Sequence, residues 1–340
     1  MNENVIDPRG ALAAIRLDRR AVDRLAARGV IGTAAWARAV AAIEPPRRWG
    51  VWAGRLLTTV GTALVLAGVV WFFAANWTHI PPFAKLGAIA AMIVAASLAV
   101  VVLGFGGQAS QAAGCAAIVL VGVFLAVEGQ IHQTGADAWT LFAAWAGLTL
   151  PWALLLRSAA AWTIWIAVAD LALIGWFDQT VPADGAYHAG RNLSLMLLHG
   201  GFLLAREAAA ARGVDWPSAR WTRFVLGVPI LAAAAETALL LLDRPHDFGP
   251  IEWTATGVVP LVFAALFAAY RRRIPDVAML AAVTVVFCGL ADLSLFRLMT
   301  GGANDAGLGV YFLMGLATLG LFALAVAWLR GVARETEAPR

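Results

Sequence analysis

Glu128 and His132 stand four residues apart at the end of a long apolar run, in the stretch EGQIHQTGADAW (128–139). If a helix continues that far, both side chains share one face. A carboxylate and an imidazole so placed can relay a proton or supply half of a metal site. The rest of a metal site is missing: neither HExxH, CxxC nor HxxxH occurs, so no metal and no cofactor is expected. Three more acids, Asp170, Glu236 and Asp292, also fall inside apolar runs. A carboxylate in hydrocarbon pairs, takes a proton or lines a wet cavity. Burial favours its neutral form. The five residues Glu128, His132, Asp170, Glu236 and Asp292 are therefore the candidate polar or ion site. Two readings stay open: a proton or cation pathway opening to one face, or inter-helix hydrogen bonds such as Asp292 with nearby Arg297. No phosphate loop, G-x-S-x-G elbow or dinucleotide fingerprint appears, so no catalytic residue is assigned.

These residues must be held by membrane-spanning helices. The 340-residue chain is 61% hydrophobic and only 14% charged, against about a quarter charged in soluble domains. Apolar runs long enough to cross a bilayer core of about 30 Å recur from Arg55 onward. They predict an all-α, polytopic transmembrane bundle of about ten spans: 55–75, 83–104, 109–131, 138–156, 159–177, 190–206, 221–242, 253–270, 275–299 and 308–329. In span two Gly87, Ala91, Ala95 and Ala99 repeat every four residues, a seam that would admit a close neighbour. Cys115 and Cys288 both fall within spans and read as small buried hydrophobes. The N-terminus, MNENVIDPRG, has no basic-then-apolar signal pattern.

Residues 1–50 read as a helical head, 51–330 as the bundle and 331–340 as a tail. In the head Asp7-Pro8, Asp18 and Thr33 are helix starts and Gly29 a helix stop. A helix-turn-helix over 18–40 would lack the flanking core of a DNA-binding domain. With the head in the cytoplasm, every basic residue except Lys85, Arg191, Arg244 and Arg297 falls on the cytoplasmic side. That is the positive-inside pattern; it places both termini inside and explains a pI of 9.7 without a nucleic-acid partner. The four spans carrying Glu128, Asp170, Glu236 and Asp292 then run outward, each with its acid in the outer half. His79, His132, His188 and His246 lie on that outer side, and His199 alone inside a span.

Two segments carry a likeness. GRLLTTVGTALVLAGVVWFFAANWTHIPPFAKLG (54–87) and EGQIHQTGADAWTLFAAWAGLTLPWALLLRS (128–158) resemble the two recognisable segments of the bacterial membrane proteins catalogued as domain of unknown function 2157. The matching positions are Asn76, Trp77, Pro81, Lys85, Gln130, Gln133, Thr134, Gly135, Asp137 and Trp139. The resemblance covers roughly residues 10–180. It implies a bacterial inner-membrane protein and no particular activity. There is also a short internal echo, GQIHQTGADAW (129–139) against GWFDQTVPADGAY (175–187), of the kind a duplicated hairpin leaves.

Two functions fit these observations. One is a transporter or channel-like protein using the outer-half acids for a proton, ion or small ligand. The other is a non-catalytic sensor or partner protein that sees its ligand outside and docks another protein through the arginine-rich head. An intramembrane enzyme ranks behind both. All three share the lipid bilayer as a partner.

Overall fold

The computed structural model describes residues 19–43 and 77–340, apart from 133–136, 183–184, 244–247, 301–306 and 338–340, plus scattered positions between 50 and 71. The expected first span and Asn76, Gln133, Thr134 and Gly135 therefore lie outside the described residues. Contacts divide the chain into two compact units, residues 1–80 and 81–340.

In the first unit, α1 (Arg19–Ala27) and α2 (Thr33–Ile43) form a helical pair. Gly29 stops α1 as expected: its φ is +72°, a left-handed conformation that a side chain disfavours. The Gly29 N–H donates to Ala26 O and the Val30 N–H to Leu25 O, both at 3.0 Å, which closes the last turn as a Schellman motif. Val22 is buried, and the Trp36 indole N–H donates to Asp23 Oδ1 at 2.8 Å, tying α2 to α1.

The second unit is helical throughout its described residues. Its helices are α3 (Pro82–Leu103), α4 (Gln108–His132), α5 (Ala138–Leu156), α6 (Ala159–Thr180), α7 (Gly185–Ala211), α8 (Arg220–Asp243), α9 (Pro250–Ala268), α10 (Val277–Thr300) and α11 (Leu308–Glu337). All nine are long and apolar enough to cross a membrane. Nine of the ten expected spans thus fall in described residues. Two differ in length: the sixth runs 185–211 rather than 190–206, and the tenth continues to Glu337 rather than stopping at 329. Polar residues at the ends of α7 and α11 hid those extensions, because hydropathy marks the apolar stretch and not the hydrogen-bonded helix.

Local signals place the ends. Prolines Pro82 and Pro250 sit in the first turns of α3 and α9, where the missing N–H costs nothing. Glu252 in the first turn of α9 folds back toward Gly249, so close that a Cβ there would stand 3.0 Å from Glu252 Oε2. At the other end, α9 widens into a π turn, Ala269–Arg273, closed by the Ile274 N–H on Ala269 O at 2.8 Å. Asp276 then starts α10, accepting from the Ala278 and Met279 N–H groups at 3.1 and 3.2 Å.

Packing falls into two groups. Helices α3 to α6 pack as neighbouring hairpins around Val100, Ile118, Leu156 and Ala161. Trp145 and Trp165 bridge them, donating their indole N–H groups to Ile118 O at 2.7 Å and Ala146 O at 2.8 Å. Such a bond between membrane helices contributes about 0.6 kcal/mol. Helices α7 to α10 share a second core with Ile166 of α6, centred on Met196, Leu226, Ile230, Phe263 and Met279. α11 packs on α10. The junction between the two groups is the contact of α6 with α7 and α8. The expected seam on α3 is not used inside this unit: Gly87, Ala91 and Ala95 are exposed, and the buried residues are Ile89 and Val100 on another face.

A buried acid–imidazole pair at the helix junction

Asp170 lies at the middle of α6 and His199 at the middle of α7. Their side chains meet there: His199 Nε2 is 3.0 and 3.1 Å from the two carboxylate oxygens of Asp170. The His199 side chain is 2% exposed and that of Asp170 23%. One hydrogen is shared between His199 Nε2 and the Asp170 carboxyl group. His199 Nδ1 is buried with no hydrogen-bond partner. Met196 and Leu203, one turn to either side of His199, are buried in the apolar core. The pair thus joins a buried imidazole to a half-buried carboxyl group beside an apolar core.

The other acids do not converge on it. Glu236 of α8 meets α7 further along, where Arg191 donates to Glu236 Oε1 and His188 Nδ1 lies 3.3 Å from the same oxygen. Around that contact, Arg191 also donates to the Tyr187 hydroxyl at 3.2 Å and to Asn192 Oδ1 at 3.4 Å, and Tyr187 donates to Asp178. Asn192 is buried and donates to Thr237 Oγ1 at 3.4 Å. Asp292 of α10 accepts from Thr318 of α11 at 2.8 Å, rather than pairing with Arg297 along its own helix. Glu128 and His132 do share a face, 3.3 Å apart, but with side chains 42% and 50% exposed at the end of α4.

The likeness between the two turns has a physical counterpart. Gln179 Oε1, in the second turn, accepts the Trp139 N–H at the start of α5 at 3.3 Å. Gly175 lies against Trp139, with 3.2 Å from its would-be Cβ to the Trp139 Cβ. Asp137 occupies the N-cap position of α5, and its carbonyl takes the Thr140 hydroxyl at 2.7 Å. The matched residues described in this turn therefore build the α4–α5 connection.

Sequence reasoning missed a second polar cluster, at the arginine-bearing end. Glu207 of α7 accepts from Arg223 Nε of α8 at 2.8 Å and from the Tyr270 hydroxyl at 3.1 Å, and lies 2.8 Å from Arg206 Nη1. Arg223 Nη1 reaches on to Asp276 Oδ2 at 2.8 Å, and Arg220 joins Asp276 Oδ1 at 3.1 Å. Arg206 is buried, with its remaining N–H groups on the Pro217 and Ser218 carbonyls at 3.0 and 2.9 Å. These arginines had been read only as topology signals. Their acids, Glu207 and Asp276, lie 16 and 53 residues from Arg223, beyond any spacing rule for a helix face. Burial disfavours the charged form of Asp276, but the Met279 N–H and the Arg220 and Arg223 guanidinium groups outweigh it and hold the carboxyl below its usual range.

Comparison with known proteins finds a family likeness for part of the chain. Residues 23–162 match the model of the family described as "Predicted membrane protein (DUF2157)", in agreement with the resemblance read from the sequence. The match ends near the start of α6, so Asp170 and His199 lie beyond it. No curated protein and no solved structure matches the chain.

Proposed function

We propose that this chain is a proton-coupled transporter or channel-like membrane protein in which Asp170 and His199 hold the coupling proton. The observation that carries the reading is the pairing of buried His199 with half-buried Asp170 at mid-height of α6 and α7, where the two helix groups meet. Binding at the mid-plane between two packed groups is the arrangement that lets one group move against the other around a fixed site. A carboxylate and an imidazole there hold two, one or no protons in different net charge states, and each state favours a different degree of hydration. The polar layer of His188 and Arg191 on α7 with Glu236 on α8 would supply protons from the outer side.

Glu128 and His132, exposed at the end of α4, serve in this reading as an outer-surface pair. Asp292 serves as an inter-helix tie. The arginine-bearing ends face the cytoplasm of a bacterial inner membrane, with the acidic outer layer opposite.

The test is proton uptake into liposomes carrying the purified chain, under an imposed voltage and read by an entrapped pH dye. Asp170→Asn and His199→Gln should abolish uptake, while Glu128→Gln should leave it within about twofold. Unchanged uptake and pH dependence in both Asp170→Asn and His199→Gln would sink the proposal.

The sensor or partner reading rests on a different observation. The described head packs as its own helical pair, joined by Val22 and the Trp36–Asp23 hydrogen bond. In that reading the head docks a cytoplasmic protein.

A further inference from the structure

A crevice of about 880 Å³ opens between α9 and α11, with α10 as its back wall. Its size lies within the range of about 300–1,000 Å³ found for small-molecule sites. The walls are Phe263 and Phe267 of α9, Phe287 of α10, and Leu324 and Trp328 of α11, among other apolar residues. Two hydroxyls line it, but both are used: Thr284 donates to Leu280 O and Ser294 to Leu290 O, each at 2.7 Å. The crevice therefore offers hydrocarbon contact and no free hydroxyl.

Its length and ends narrow the occupant. Along α10 it runs from Val283 to Ser294, about 16 Å of helix. That is about half of a bilayer core of about 30 Å, the depth of one leaflet. One end is bridged by the stacked rings of Phe267 and Trp328, 5.7 Å apart, and then by the Arg271–Glu335 ion pair at 2.6 Å. Just past that end, Arg272 and Arg273 on the π turn are exposed and make no ion pair with the described residues. An apolar slot one leaflet deep, ending at a turn that carries two such cations, has the layout of a phospholipid: tail in the slot, phosphate at the arginines.

We propose that the α9–α11 crevice binds an anionic phospholipid of the arginine-bearing leaflet, one acyl chain lying between Phe263 and Leu324 and the headgroup held by Arg272 and Arg273. This goes beyond the proton reading and does not depend on it, because Asp170 and His199 lie on other helices.

The experiment uses the full chain in phosphatidylcholine vesicles containing a minor fraction of phosphatidylglycerol. One or other lipid carries a photoreactive diazirine in its tail, and labelled peptides are mapped by mass spectrometry. Tail label should concentrate on the crevice walls relative to the exposed face of α3 at Met92, Val94 and Leu98. Phosphatidylglycerol should label the walls about fivefold more efficiently than phosphatidylcholine, the effect of roughly one cation's worth of attraction. Replacing Arg272 and Arg273 together by Gln should remove that preference while wall labelling persists. Ala264→Trp, which fills the slot, should reduce wall labelling by either lipid. If label is spread evenly over α3 and the crevice, if both headgroups label equally in the wild type, or if the double variant keeps the preference, the proposal is overturned. Protection of the walls by a second copy of the chain would overturn it too.

Discussion

Asp276 joins two helices through one carboxylate, capping α10 and accepting from Arg220 and Arg223 of α8, while its own N–H donates to Tyr270 O of the π turn that ends α9. Asp276→Ala removes a cap worth about 1 kcal/mol and leaves Arg223 short of a partner, so a loss of about 2–4 kcal/mol is expected. Thermal unfolding in detergent measures it, with Asp276→Asn expected to recover part of the cap but not the ion pair. The acid dependence has a definite sign. The folded carboxyl titrates below its ordinary value of 3.8, so its contribution is complete above that pH and is lost as pH falls through the lower folded value. Wild-type stability should therefore fall more steeply below about pH 4 than that of Asp276→Asn. At this scale the sequence was partly legible. Glu128 with His132 was readable because both lie on one helix, and spacing speaks for such pairs. Asp170 with His199 was not, because the partners stand on different helices, and only packing decides which faces meet.

Between α4 and α5 the decisive element is a glycine. A Cβ on Gly122 would lie 2.3 Å from the Trp145 ring, whose indole N–H bonds Ile118 O on the same helix as Gly122. Gly122→Ala must push that ring aside and strip its hydrogen bond, at a cost of about 1–3 kcal/mol. Gly147→Ala, on α5 with nothing within 4 Å of its would-be Cβ, should be neutral or stabilising. Comparing the two unfolding midpoints checks the assignment, and equal midpoints would refute it. Helix existence was readable from hydropathy alone, and α5 begins and ends at 138 and 156 as expected. Which small residues form a contact was not. The regular seam at Gly87, Ala91 and Ala95 is exposed, whereas the irregular Gly114 and Gly122 carry the close approaches. A four-residue repeat states that a face is smooth, not that a neighbour lies on it.

For the whole molecule, the bundle and the head make separable predictions. The two units of contact, residues 1–80 and 81–340, allow the head to be removed without touching the Asp170–His199 pair. A chain lacking residues 1–45 should still insert and, under the proton reading, retain pH-dependent uptake in liposomes. If uptake disappears while insertion and unfolding are unchanged, the sensor or partner reading gains and the head is more than an appendage. The polytopic helical architecture was legible because hydrocarbon demands long apolar helices. The division into two helix groups was not, since no change in composition marks the α6–α7 boundary.

In the proton-coupled reading proposed above, the mid-helix position of the Asp170–His199 pair has an electrical consequence. One elementary charge moved across the whole membrane exchanges about 2.3 kcal/mol per 100 mV. A proton arriving from either face at mid-span crosses roughly half of that field, so its binding is biased by about 1.1 kcal/mol per 100 mV. Occupancy of the pair then follows membrane potential as well as proton concentration, and an energised cell would load and empty it differently from a depolarised one.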